Sequence, residues 1–198
     1  MKKLDLLITG AGGQGIILAS DIIGDVAIAD GYDAKKTDTL GMAQRGGSVL
    51  SNVRIAPRVW SPLIKEGEVD ILLSLEKLEA ARWIHNLRPG GTAIVNNHAL
   101  PPLSVSLGKE RYPGDDEIKN IIKQRTDRLY FIDGTHRARE LGNIRTLNIF
   151  MLGCISSFMP FKVQTWKDSI CQHLPAPLQS INLTAFDRGR KEISRARI

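Results

Sequence analysis

The 198-residue sequence predicts an α/β fold: a doubly wound, mostly parallel sheet with a glycine-rich first strand-to-helix turn and a C-terminal helical cap. Three observations carry this. Apolar runs without polar alternation, LDLLIT at 4–9 and VDILLSL at 69–75, are what strands buried on both faces require. A segment with apolar residues at helical spacing follows each run, the order that crossover connections impose. From about residue 134 the helical periodicity goes on without another strand.

Taken in order, residues 4–9 form the first strand. Gly10-Ala11-Gly12-Gly13-Gln14-Gly15 turns the chain into a helix over about 13–30, with Ile16, Ile17, Ala19, Ile22, Ile23, Val26 and Ala27 on its apolar side and Gly31 as its stop. Residues 32–37 read as a weak, polar strand, and 38–47 as a glycine-rich polar loop. Alternation returns at 48–56, where Val49, Val53 and Ile55 share parity, so a half-exposed strand is expected. Pro57 and Pro62 punctuate a loop with one helical turn at 62–66. After the strand at 69–75, a helix spans 76–87 and ends in Arg88-Pro89-Gly90-Gly91. A third buried strand follows at 92–96. Pro101-Pro102 stops it, and 103–113 reads as an extended edge piece. Asp115 or Asp116 caps a helix reaching Arg125, and 129–133 is the last strand. Helical segments then cover 146–158, 163–174 and 178–195, interrupted by Leu141-Gly142-Asn143, Pro160 and Pro175-Ala176-Pro177. With no repeat and no low-complexity tract, residues 1–198 read as one domain whose helical part begins near 134.

Composition narrows the function classes. A hydrophobic fraction of 42% and a charged fraction of 24% belong to an ordinary globular chain. The net charge of +6 gathers partly near the end, at Arg188, Arg190, Lys191, Arg195 and Arg197. No nucleic-acid-binding pattern accompanies it, so a solvated basic helix, an anionic ligand or an acidic partner subunit explains it better. Cys154 and Cys171 are too few to hold an iron–sulfur cluster or zinc, and both read as buried free thiols. No signal segment opens the chain and no apolar run has transmembrane length, so a cytoplasmic, non-membrane protein is expected.

The chemistry concentrates in two glycine-rich stretches. In the first, Gly10, Gly12, Gly13 and Gly15 let backbone N–H groups approach a phosphate at a helix N-terminus. A self-sufficient dinucleotide site also needs a ribose-binding acid at the end of a second strand. Asp30 has the spacing but sits at a helix end, while Asp33 and Asp38 lie in a polar segment. That disfavours a nicotinamide or flavin enzyme, and a Walker loop fails because no Lys-Ser/Thr pair follows Gly15. Gln14 either donates its amide to a ligand or caps the helix. In the second stretch, Gln44, Arg45, Gly46 and Gly47 combine close backbone approach with a guanidinium fork suited to carboxylate or phosphate, unless Arg45 merely braces its own loop. His98, after Asn96-Asn97 at a strand's C-terminal end, is a further ligand candidate. No catalytic triad, Cys–His pair or carboxylate cluster is identifiable.

Together, Gly10–Gly15, LGMAQRGGSV at 40–49 and Val53-Arg54-Ile55 resemble the gamma-type subunit of 2-oxoacid:ferredoxin oxidoreductases, nearest to the beta subunit of the indolepyruvate branch. The likeness runs on through Ser61-Pro62-Leu63-Ile64, Gly67–Asp70, Leu75-Glu76, Arg88–Gly91, Leu141–Asn143 with Asn148 and Leu152-Gly153, and Asn182–Phe186 with Gly189. It implies oxidative decarboxylation of a 2-oxoacid, with coenzyme A, to acyl-CoA and reduced ferredoxin. Thiamine diphosphate and Fe-S clusters would reside on a larger partner subunit, since this chain matches the motifs of neither. The subunit would be inactive alone, its catalytic residues unassigned, with Gly10, Gly12, Gly13, Gln14, Gly15, Gln44, Arg45, Gly46 and Gly47 facing a ligand or an interface. Two readings compete with it: an independent nucleotide-binding oxidoreductase, and a non-enzymatic anion-binding module.

Overall fold

The computed structural model describes residues 1–40 and 46–196. In chain order the elements are β1 (Leu4–Ala11), α1 (Ile16–Ala29), β2 (Asp33–Leu40), β3 (Ser48–Ala56), β4 (Val69–Ser74), α2 (Lys77–Trp83), β5 (Leu87–Asn96), α3 (Leu103–Ser106) and α4 (Asp115–Lys123). They continue with β6 (Leu129–Ile132), α5 (Gly134–Glu140), α6 (Leu147–Ser156), α7 (Val163–His173) and α8 (Ala176–Ala196). Short 3-10 turns at Ile84–Asn86 and Ile144–Thr146 lead into β5 and α6.

The six strands form one sheet in the order β2-β3-β1-β4-β5-β6. β1, β4, β5 and β6 are mutually parallel, with Leu6 opposite Ile71 and Leu72 opposite Ala93. β3 runs antiparallel beside β1, Leu4 opposite Ile55, and β2 antiparallel beside β3. Side chains alternate across the pleat, so Leu6 and Ile8 enter one apolar layer and Leu7 the other. The larger layer holds Ile22 and Ile23 of α1, Phe150 of α6, Trp166 of α7 and Phe186 of α8. The smaller holds Leu72, Val95, Ile118 and Ile122 under α2 and α4. Helices on both faces make the sheet doubly wound.

At the end of β1 away from the glycine turn, Asp5 is fully buried, and the guanidinium of Arg54 on β3 grips it through Nε at 2.8 Å and Nη2 at 3.1 Å. The geometry is bidentate and fixes the β1–β3 register with a charge pair rather than an apolar one.

The C-terminal cap is built on α6, all ten residues of which are buried. A helix so apolar on every side needs neighbours all round, and α8 supplies the closest. Their backbones touch through two glycines. A Cβ on Gly153 would stand 2.1 Å from the Phe186 carbonyl oxygen, and one on Gly189 would stand 2.0 Å from that of Phe150.

Local details depart from the sequence reading where neighbours override propensity. β2 runs to Leu40 instead of yielding to a loop at 38, because β3 pairs with it along its length. β3 is mostly buried rather than half-exposed, since it lies inside the sheet between β2 and β1. No helical turn forms at 62–66; Ser61 and Gly67, with φ of 77°, shape a loop there. The helix expected over 76–87 ends at Trp83, and Arg88–Gly91 is the irregular start of β5, with Gly90 at φ 68° and a register shift against β4. The 103–113 piece is not extended: α3 forms directly after Pro102. Gly114, not an aspartate, is the N-cap of α4, which stops at Lys123; the Asp115 carboxylate instead meets Lys77. Cys154 is buried as expected, whereas Cys171 is partly exposed.

Replacing Gly153 by Ala drives a methyl group into the α8 backbone, and overpacking of this kind costs about 3 kcal/mol. Urea denaturation of Gly153→Ala is expected to show a markedly lower midpoint with an unchanged slope.

Candidate functional site

The turn after β1 is held from within. The Gln14 side chain folds back so that its Oε1 accepts the Ala11 N–H at 2.7 Å, while its Nε2 donates to the Leu75 carbonyl at 3.1 Å. The fold-back requires a glycine at position 10, where a Cβ would lie 2.6 Å from that Oε1. Gly15 takes φ 80° and begins α1; a Cβ there would meet the Asn148 amide nitrogen at 2.5 Å. Asn148 in turn donates to the Gly15 carbonyl at 3.4 Å, tying the cap of α1 to the start of α6.

The two glycine stretches meet. Gly12 N–H donates to the Gly47 carbonyl at 2.8 Å, and Gly46 N–H to the Gly12 carbonyl at 3.4 Å, extending the β1–β3 ladder beyond both strands. Ser48 then reaches across to α2, where its hydroxyl and the Trp83 indole share the Glu79 carboxylate.

Above these turns, at the C-terminal ends of the parallel strands, lies a cavity of about 750 Å³. Its floor is Gly12, Gly13, Gln14 and Gly15, with Gly46 beside them; Leu100 and Pro101 form one wall, and Ile144, Arg145, Leu147 and Asn148 the other. His98 and Thr135 complete it. Thr135 is fixed by Asn96, whose Oδ1 accepts the Thr135 N–H and whose Nδ2 donates to both Thr135 Oγ1 and the Leu75 carbonyl.

The electrostatics favour an anion. The first turn of α1 carries no acidic residue and no side-chain cap, so nothing in that turn offsets the positive end of a 14-residue helix. Arg145 is exposed at the wall, and among the described residues it forms no ion pair. Burial, with a smaller push from Arg139, lowers the His98 pKa below its ordinary value of 6.5, so the imidazole is neutral at pH 7.

The structure brings Gly12, Gly13, Gln14, Gly15 and Gly46 to this one cavity, with Gly47 joined to Gly12 and Gly10 beneath Gln14. Gln44 and Arg45 lie outside the described residues. Gln14 does not cap the helix: its Oε1 accepts the Ala11 N–H and one Nε2 hydrogen goes to the Leu75 carbonyl, while the residue lines the cavity. The ribose-acid candidates are engaged elsewhere: Asp30 accepts from Lys162 N–H and Thr165, Asp33 from Val59 N–H, and Asp38 from Ser51 and Lys36. Arg145 has no motif spacing of its own; its sequence signal is the neighbouring Leu141-Gly142-Asn143 break, which precedes the Ile144–Thr146 turn into α6. Among the described residues, no group of three or more His, Cys, Asp or Glu side chains could hold a metal ion.

A family model described as pyruvate ferredoxin/flavodoxin oxidoreductase matches residues 5–192. Indolepyruvate oxidoreductase subunit IorB of Pyrococcus horikoshii is 35% identical over 194 residues, which is 96% of either chain. The gamma subunit of a keto/oxoacid ferredoxin oxidoreductase from Geobacter sulfurreducens has the same fold, with a TM-score of 0.72 at 24% identity over 97% of this chain and 99% of that one. A 2-oxoglutarate:ferredoxin oxidoreductase from Magnetococcus marinus, solved with 2-oxoglutarate, coenzyme A and succinyl-CoA bound, gives a TM-score of 0.75 at 19% identity; the match covers 98% of this chain but only 32% of that chain.

The lowered His98 pKa has a signed consequence. A histidine that resists protonation in the folded state gives stability present above its unfolded pKa of about 6.5 and lost as pH falls toward the folded value. NMR titration is expected to place the His98 midpoint below 6.5, and His98→Gln is expected to flatten the loss of stability on acidification from that pH.

Proposed function

This chain belongs to the pyruvate ferredoxin/flavodoxin oxidoreductase family, and from that premise we propose that it is the small subunit of an indolepyruvate- or arylpyruvate-type 2-oxoacid:ferredoxin oxidoreductase. The reaction converts a 2-oxoacid, coenzyme A and two oxidised ferredoxins into acyl-CoA, carbon dioxide, a proton and two reduced ferredoxins. The indolepyruvate branch rests on the 35% identity to a subunit of that name. Residues 1–198 are read as one gamma-type domain, working in the cytoplasm where ferredoxin accepts the electrons.

The observation that carries the reading is the junction of both glycine stretches at one cavity beside a helix start without a side-chain cap and an exposed Arg145 that forms no ion pair among the described residues. Such a place suits the phosphates of coenzyme A, held by backbone N–H groups and a guanidinium. The chain's own residues bind and orient that substrate. They do not fit a cluster: the Cys154 thiol is pointed at the Gly189 carbonyl inside the core, where burial raises its pKa, and Cys171 is on a different helix. On this reading thiamine diphosphate and Fe-S clusters sit on the larger partner, where they would supply acyl transfer and electron removal. An independent dinucleotide enzyme fares worse, because every acid placed to hold a ribose is already bonded within the fold.

Co-expression with the larger subunit is expected to give a complex whose 2-oxoacid-dependent ferredoxin reduction needs both chains. Within it, Arg145→Ala is expected to raise the KM for coenzyme A by about tenfold or more, the worth of one charged hydrogen bond, with a smaller effect on kcat. Full turnover by the larger subunit alone would refute the subunit reading. An unchanged KM would refute the role of Arg145.

A further inference from the structure

We infer that the excursion between β5 and α4 is a docking arm for the larger subunit, an inference that rests on the subunit reading above. The arm leaves and rejoins the body at one buried side chain. Glu76, 2% exposed, accepts the Leu100 N–H at 3.0 Å at one end of the excursion and the Tyr112 hydroxyl at the other, both on Oε1. Its other oxygen caps α2 through the Glu79 N–H at 2.8 Å. Between the two pins the arm bonds to itself, Leu107 N–H to the Leu103 carbonyl and Lys109 N–H to that of Ser104, each at 2.9 Å.

An arm held so firmly would be expected to turn its apolar groups inward. It does the opposite. Leu103 is 73% exposed and Leu107 61%, four residues apart on one side of the same short turn, with Leu100 39% exposed at its base. An ordered segment that displays adjacent leucines to water marks an interaction surface.

The surroundings say what occupies it. A groove of about 470 Å³ separates the arm from the second glycine stretch, lined by Leu103 and Ser106 on one side and by Gly46, Gly47 and Ser48 on the other. Leu100 and Pro101 wall both this groove and the glycine cavity, so whatever fills the groove also closes the ligand site. The groove's carboxylates are consumed internally, Glu76 as above and Glu79 by Ser48, Trp83 and Arg82. Arg82 nevertheless keeps 44% of its side chain exposed there, and Arg145 stands exposed at the neighbouring wall. The fitting occupant is an apolar segment flanked by carboxylates. In a family of multi-subunit enzymes, the larger subunit is the chain that must approach this edge.

The test uses the full complex. Leu103→Glu combined with Leu107→Glu places two charges on exposed positions, so the melting temperature of the isolated chain is expected to stay unchanged while its affinity for the larger subunit falls at least about tenfold. In parallel, hydrogen exchange of the wild-type chain is expected to show new protection over residues 100–108 on assembly, which does not depend on the variant folding. Wild-type affinity in the variant, or absence of that protection, overturns the docking arm. Protection of the same residues in the isolated chain at high concentration, with dimer formation, overturns it in favour of a second copy. Failure of the wild-type chain itself to bind the larger subunit is a different result, and removes the subunit reading beneath it.

Discussion

The Gln14 side chain ties the turn after β1 to the chain leaving the neighbouring parallel strand β4. Its oxygen takes the N–H of Ala11 at the end of β1, and its nitrogen reaches the Leu75 carbonyl just beyond β4. Asn96, at the end of β5, donates to that same carbonyl and with its oxygen fixes Thr135 at the start of α5. The C-terminal ends of neighbouring parallel strands are thus joined by side-chain amides where the backbone ladder stops. Each of these buried polar groups would be costly if left unpaired, which makes the arrangement rigid as well as specific.

That rigidity explains the glycines. Gly10 exists to let Gln14 fold back, and Gly15 to let α1 begin against Asn148 in a left-handed conformation. Gly12 continues the pairing of β1 with β3 through Gly47. The turn spends its side chains on its own geometry, so what it offers the cavity is backbone, the positive end of a helix, and little steric bulk. Among the described residues that line the cavity, the exposed cation is Arg145, which comes from more than a hundred residues away, at the entrance to α6. Its described residues are therefore suited to receive an anion and to pack closely against something, and none of those lining the cavity is suited to breaking a carbon–carbon bond. This division of labour is what membership of a multi-subunit oxidoreductase family leads one to expect.

How far the sequence foretold this depends on the range of the interactions involved. The buried strands at 4–9 and 69–75, the glycine turn and the helical cap were legible because each is a local pattern of apolar residues and breakers. The length of β2 was not, since Asp33–Leu40 is polar and becomes a strand only by pairing with β3. The internal bonding of Gln14 was not legible for the same reason: nothing near residue 14 in sequence reveals that Leu75 will supply an acceptor. Arg145 and the arm at 100–112 were hidden more deeply. An exposed cavity-wall arginine looks in sequence like any surface arginine, and a pair of prolines followed by scattered leucines resembles an extended edge until Glu76 is seen gripping both ends.

On the proposed function, the edge built on Gln14 forms one wall of a site that a larger chain completes. A cryo-EM map of the assembled complex with coenzyme A bound tests it most directly. The expected map has the larger subunit covering the cavity, with coenzyme A or the partner's backbone in contact with Gly12–Gly15 and Arg145. A map in which this cavity opens to bulk solvent, with coenzyme A and the partner both seated on another face of the chain, would contradict it.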